Sequence, residues 1–481
     1  MTTQLVVAST LFGAMTAAAA ADDGLLGRPD GERVLLVVNN APAPELTPAV
    51  DEIRGAGPVL ARFDRVVHLT DLLAPVHPSD WNPGTRELPA LERLLRRYWD
   101  LGDGRVELVC ESIWVNPARA LARVFHDAPV TVYADGLMSY GPTRDALPLD
   151  VSQRLGGLLH LDLVPGLRPV LLSEHGVAPT VVPATAFRAL VDEIVAATGP
   201  TATGPTAAVP TATGPTATGP TAVGAHGGAA PGGPRRPAVV VGQYLAALGL
   251  VTAEEEAAMH AQMIRAAVDA GAGAVRFKPH PSAPPGMRRP LEDAAAELGV
   301  PLEIVDDPLP VEVLLARADH VAVVGCFSTA LATAPAVMGV PSVAVGTALL
   351  LERLEPFQNS NRIPLTVVDA VHRDDRRYAD VADLQGLVDA VAHVMQPRLL
   401  ADRRPAAEAF LAGAPDAERR RYVATRRLTT LGLPGGRRRH AVERAASDAA
   451  RWLLRRPAFA WVDDRTKASP LRRRLARAVQ A

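Results

Sequence analysis

His320-Val321-Ala322-Val323-Val324-Gly325-Cys326-Phe327-Ser328-Thr329-Ala330 is the stretch that decides the fold. An apolar run of strand length stops at a glycine, and two hydroxyl side chains then precede a run, residues 330–334, that reads as a helix start. Continuous apolarity is the mark of a parallel strand covered by helices on both faces. A second stretch has the same grammar. Residues 274–277 (AVRF) are strand-like and lead into Lys278-Pro279-His280-Pro281. Ligands in open α/β sheets sit beyond the carboxyl ends of the strands, so both loops are expected to line one cleft. Ser328 and Thr329 at a helix N-terminus, with Gly325 before them, suit a phosphate. Lys278 and His280 offer a positive charge and a hydrogen-bond donor to the same oxyanion. Lys278 and Lys467 are the only lysines among fifty basic residues, so an ammonium at 278 stands out against a composition that prefers arginine.

Outward from these loops, strand-like runs alternate with helical ones. Residues 238–241 (AVVV) open the unit and deliver Gly242-Gln243-Tyr244 to the same sheet edge, where Gln243 and Tyr244 are candidates for contact with a base or ribose. Thr252 with Glu255 forms a capping box for a helix over 253–270. Strands are expected at 301–305, 341–345 and 365–368, and a helix at 380–395 closes the lobe. Upstream, strands are expected at 4–8, 33–38, 65–69, 105–110 and 129–133, with further strand-like pieces at 160–164 and 169–172 and helices at 88–99 and 186–196. Alternation of this kind predicts an α/β protein of two Rossmann-like, doubly wound domains, residues 1–197 and 237–400, facing a central cleft. On the first domain, Asp135 follows a strand, Glu111 ends another, and Ser9 and Asn40 stand on loops at strand ends; these are the candidates for the acceptor side.

Residues 198–236 are different. The GPTAT-like repeat there has no large apolar side chain and predicts a disordered Gly/Pro/Thr/Ala-rich linker. From Asp402 onward twenty Lys/Arg face eight Asp/Glu, so residues 401–481 read as an arginine-rich, helical, basic tail. Solvated faces of helices, one of them packing back on the first lobe, are the plain reading of that tail, and peripheral contact with an anionic inner membrane face is the next. Its arginines fit no nucleic-acid-binding motif, and the formal net charge of −2 gives no global field toward nucleic acid.

Hydrophobic content of 48% and charged content of 21% are those of an ordinary globular chain. Cys110 and Cys326, each at the end of an apolar run, fit buried thiols in a reducing compartment. No Cys/His set has zinc-ligand spacing, and no Asp-x-Asp metal motif appears. The apolar residues 5–21 lack a basic leader, and Phe12-Gly13 interrupts them, so they are expected as a β-α unit rather than a signal peptide. No run reaches the roughly 18 apolar residues of a membrane span. A cytoplasmic protein is expected.

With these motifs assembled, the chain resembles the bacterial α-2,8-polysialyltransferase-like family, among the bacterial sialyltransferases of GT-B fold. The resemblance rests on residues 133–143 (YADGLMSYGPT), on FKPHP at 277–281 and on GCFSTA at 325–330. It spans about residues 2–190 and 238–395. The family usually has two acidic residues before the glycine of the first motif, and here Ala134 takes the first place. The resemblance implies an inverting glycosyltransferase that needs no metal or cofactor and takes a CMP-sialic acid donor and a glycan acceptor. By match, Asp135 is the general base, His280 contacts the CMP phosphate, and Ser328 with Thr329 holds it. Glu111 is a reserve base. A CDP-polyol transferase or sugar-nucleotide epimerase of the same fold, and a homologue that binds without turnover, remain open alternatives.

Overall fold

The structure is a computed structural model that describes residues 1–134, 136–199, 236–280 and 288–437. Seven strands form the first sheet: β1 (Thr2–Ala8), β2 (Arg33–Val37), β3 (Arg65–His68), β4 (Arg105–Cys110), β5 (Val130–Ala134), β6 (Leu155–Leu161) and β7 (Pro179–Val182). Their order is β3-β2-β1-β4-β5-β6-β7. Five more form the second sheet: β8 (Pro237–Val241), β9 (Ala274–Lys278), β10 (Leu302–Ile304), β11 (Val323–Gly325) and β12 (Ser342–Ala344), in the order β10-β9-β8-β11-β12. Every pairing between them is parallel. Both lobes are therefore doubly wound, with the order reversing beside β1 in one and beside β8 in the other, as the alternation predicts.

The opening apolar stretch is the centre of the first sheet. β1 is buried on both faces, and the helix Leu11–Asp22 lies across it with Ala17 to Ala20 fully buried. Alanines bring that helix close to the sheet. Thr10 caps its start by accepting from the Gly13 amide at 2.9 Å. In the second lobe the expected capping box is present: the Glu255 amide donates to Thr252 and the Thr252 amide to the Glu255 carboxylate.

Three sequence expectations need correction. The run at 365–368 is not a strand but part of the helix Arg362–Val371, buried almost throughout; periodicity cannot separate a buried strand from an all-round apolar helix. Residues 169–172 form no strand, and the sheet ends instead on β7, a short edge strand whose first three residues are exposed. The basic segment does not begin as a solvated tail. Residues 404–431 form the helices Arg404–Gly413, Asp416–Tyr422 and Thr425–Leu431, packed on the second lobe. There Arg419 donates to the carbonyls of Leu411 and Ala414, and Arg421 to Asp369, so these arginines point inward. Residues 200–235 of the expected linker and 438–481 of the tail lie outside the described residues. Among the described residues no helix is long and apolar enough to cross a membrane.

The lobes meet through specific contacts. The helix Ala184–Thr198 of the first lobe packs against the helix Val311–Ala316 of the second, within one continuous apolar core. Gln385 accepts from the Arg168 amide at 2.8 Å, and Gln396 donates to the Arg144 carbonyl at 2.6 Å. The turn Leu137–Tyr140 lies on the helix Arg362–Val371.

Buried histidines leave this core sensitive to acid. His260 is 2% exposed, packs edge-on against Phe277 with ring centroids 5.2 Å apart, and its Nδ1 has no hydrogen-bond partner among the described residues. Burial lowers its pKa from 6.5 to about 4. Below pH 6.5 the unfolded chain takes up a proton there that the folded chain refuses, so stability is lost as pH falls from about 6.5 to about 4 and levels off below. His260 alone accounts for roughly 3 kcal/mol of that loss. Urea unfolding at pH 7 and pH 4.5 should show a smaller difference in His260→Leu than in the wild type, and equal differences would refute this.

Candidate active site

All strands being parallel, the loops at their carboxyl ends share one side of each sheet, and the motifs at 133–143 and 325–330 meet there. Gly136, just beyond β5, lies against Thr329 of the second lobe: a Cβ added at Gly136 would stand 2.7 Å from Thr329 Oγ1 and 3.3 Å from its Cγ2. Glycine is needed at 136 for this approach rather than for a special φ, since its backbone is extended. Asp135 itself and Pro281 lie outside the described residues. Their neighbours are placed: Ala134 ends β5, buried, and His280 follows β9.

β5 is held firmly up to its end. The Tyr133 hydroxyl donates to the Val7 carbonyl at 2.8 Å, and the Tyr140 hydroxyl accepts from the Val164 amide at 3.0 Å. At the ends of β1 and β4 the Ser9 hydroxyl donates to Glu111, so these two acceptor-side candidates are brought together. Asn40 is not with them. It is exposed on the loop beyond β2, and its neighbour Asn39 braces that loop by donating to the carbonyls of Pro44 (3.0 Å) and Thr47 (2.8 Å). Asn39, whose backbone amide donates to Thr70 Oγ1 at 2.9 Å, lines with Thr70 and His68 a cavity of about 350 Å³ over the ends of β2 and β3. Nothing in the Asn39-Asn40 pair of the sequence told which would face inward.

In the second lobe, two glycines let the strand ends close together. A Cβ on Gly242 would stand 2.5 Å from the Phe277 ring, and one on Gly325 would stand 2.6 Å from Val241 Cγ2. The rings of Tyr244 and His280 lie together, centroids 4.4 Å apart and planes tilted by 42°. Burial lowers the His280 pKa, which favours the neutral ring with one N–H to donate. Gln243 is 9% exposed, and its carbonyl oxygen is buried with no hydrogen-bond partner among the described residues. Buried acceptors are normally satisfied, so this one is available to a ligand. Ser328 Oγ accepts from the Ala330 amide at 3.2 Å, and the helical segment beyond begins on Ala330.

Lys278 is turned toward its own lobe. Its ammonium donates to the Asp307 carbonyl; burial lowers its pKa, against the charges of Asp307, Glu312 and Asp306. Both thiols are buried and free: burial pushes Cys110 up to about 12 and raises Cys326 as well, so neither serves as a nucleophile. Among the described residues no three His, Cys, Asp or Glu side chains gather into a metal site.

The family model for alpha-2,8-polysialyltransferases (POLYST) matches residues 4–347 of the 481. The chain belongs to this family. As a member of the polysialyltransferase family it is a glycosyltransferase of GT-B architecture, a class that takes a nucleotide-sugar donor and a glycan acceptor. Among solved structures it is similar to the GT-B domain of a sialyltransferase from Photobacterium damselae, with 12% identity and a TM-score of 0.37 over 76% of this chain and 96% of that one. It is also similar to MurG of Acinetobacter baumannii, with 11% identity and a TM-score of 0.36 over 84% and 94% of the two chains. MnaA of S. aureus with UDP gives 11% identity and a TM-score of 0.35 over 79% and 90%. At these identities no residue role is carried over. No curated protein matches the chain.

Proposed function

We propose that this polysialyltransferase-family member transfers sialic acid, or a related nonulosonic acid, from a CMP-activated donor to a glycan hydroxyl, by one inverting displacement without a metal or cofactor. The observation that supports this most is the approach of Gly136 to Thr329, because it adjoins the motif containing Asp135 to the loop suited to a phosphate. In this reading Asp135 takes the proton of the acceptor hydroxyl as its oxygen bonds to the anomeric carbon. The bond from that carbon to the phosphate breaks, and its electron pair leaves with CMP. Ser328, Thr329 and the His280 N–H bond the phosphate as its charge grows, which is where such donors contribute most. The buried Gln243 carbonyl and the Tyr244 ring take the nucleoside portion.

The test is CMP release from CMP-sialic acid by the full chain with a panel of glycan acceptors, with NMR of the product. Acceptor-dependent CMP release and an inverted anomeric configuration are expected. Retained configuration, or turnover of a CDP-polyol without sialyl transfer, would overturn the proposal.

A further inference from the structure

Behind Ser328 and Thr329 lies a buried hydroxyl–carboxyl pair, beside a polar chain that reaches the first lobe. Thr333, four residues beyond Thr329, is completely buried and donates its hydroxyl to Glu312. Glu312 is 2% exposed and belongs to the helix Val311–Ala316, which packs on the first-lobe helix Ala184–Thr198 on one side and on residues 334–338 on the other. Just past this helix, Arg317 donates to Thr198 Oγ1 of the first lobe at 2.8 Å and to Asp307 Oδ2 at 3.2 Å. The Asp307 carbonyl takes the Lys278 ammonium. Polar side chains thus run from Thr198 through Arg317 and Asp307 to Lys278, beside the Glu312–Thr333 pair.

A carboxyl group this far from water carries a desolvation cost that an apolar side chain would avoid. Among the described residues its side-chain donor is the Thr333 hydroxyl, on the helical segment that starts just beyond Ser328 and Thr329. We propose that Glu312 is a positioning residue for donor binding: through Thr333 it fixes the first helical turn, and with it Ser328 and Thr329, against the helix that joins the lobes. This rests on the reading of Ser328 and Thr329 as phosphate ligands. A displacement of the loop by about 1 Å is enough to lose much of the binding.

The experiment is calorimetric titration of the full-length protein with CMP, UMP, CDP and UDP, with the thermal midpoint measured for each variant. Thr333→Val removes the hydroxyl at constant volume and should weaken CMP binding about tenfold. Thr333→Ser and Glu312→Gln keep a donor and an acceptor and should bind within about threefold of the wild type. Glu312→Asp, which draws the carboxylate back by one methylene, should weaken binding as Thr333→Val does and serves where the valine variant does not fold. A lower midpoint with unchanged nucleotide affinity in Thr333→Val or Glu312→Asp would overturn the inference. If the wild type binds another of the four nucleotides and not CMP, the donor assignment fails while the same comparison, made with that nucleotide, still decides the role of Glu312. Binding of none of the four overturns both.

Discussion

Asp135→Asn is expected to lower sialyl transfer by about 10³-fold while leaving CMP affinity within about twofold of the wild type. The amide has the shape of the carboxylate and cannot accept the acceptor's proton, and loss of a general base costs about 10²–10⁴. Retained CMP affinity is expected because the groups assigned to the phosphate belong to the other lobe: His280 follows β9, and Ser328 and Thr329 follow β11. His280→Ala is the complement, since it removes a donor from the leaving phosphate and should weaken both CMP binding and transfer. Glu111→Gln is the control for the reserve base. The Glu111 carboxylate is already engaged by Ser9, so this change should reduce transfer far less than Asp135→Asn. Coupled CMP-release kinetics and calorimetry decide the matter. More than a tenth of wild-type transfer in Asp135→Asn, or a larger loss in Glu111→Gln, would move the base away from Asp135.

The central strands of both sheets were legible because their apolar runs are short, continuous and bounded by turn residues: LVVA in β1, RVLLV in β2 and AVVV in β8 are unmistakable. The strand-to-helix junction at residues 325–330 was legible for the same reason, an apolar run that stops at a glycine followed by two hydroxyl residues. Other features depend on contacts that sequence does not encode locally. β7 escaped because an edge strand of four residues, opened by Pro179 and mostly exposed, has no apolar face to announce it. The helix Arg362–Val371 was mistaken because neighbours surround it, which erases the 3.6-residue period. Glu312 and Thr333 lie 21 residues apart and are joined only by the packing of two helices. Arg421 reads as one of three exposed arginines until the fold brings Asp369 to it from 52 residues away.

That last contact carries the largest stability effect expected in the molecule. Asp369 is 2% exposed on the helix Arg362–Val371 and is held by four donated hydrogen bonds. Arg421 bonds both of its oxygens, at 2.6 and 2.7 Å, the Tyr422 hydroxyl bonds one at 2.7 Å, and the Thr347 hydroxyl the other at 2.6 Å. Burial alone would raise the Asp369 pKa, but Arg421, Thr347 and Tyr422 together hold it below the usual value. Glu418, on the helix Asp416–Tyr422 with Arg421, adds a second clamp by accepting from Arg373 at 2.9 Å. Asp369→Ala strips the partner from a guanidinium and two hydroxyls at once. Breaking a buried pair from one side costs about 3–5 kcal/mol, and since Arg421 keeps a third of its side chain in water, roughly 3 kcal/mol is expected here. The pH dependence gives the origin. A carboxylate with a depressed pKa contributes stability that is fully present above its unfolded value, near 3.9, and is lost as pH falls through the folded one. The wild type and Asp369→Ala should therefore differ most at pH 7 and converge in strong acid, a range below the one in which His260 acts. Thr347 opens the helix Thr347–Arg353 just beyond β12, so the same clamp fastens the helix Asp416–Tyr422 to the carboxyl end of the second sheet. Urea unfolding of the full chain should show one transition that shifts as a whole in Asp369→Ala. A change below 1 kcal/mol at pH 7, or a separate early transition with the main one unmoved, would mean that residues 404–431 are not part of the second lobe's cooperative core.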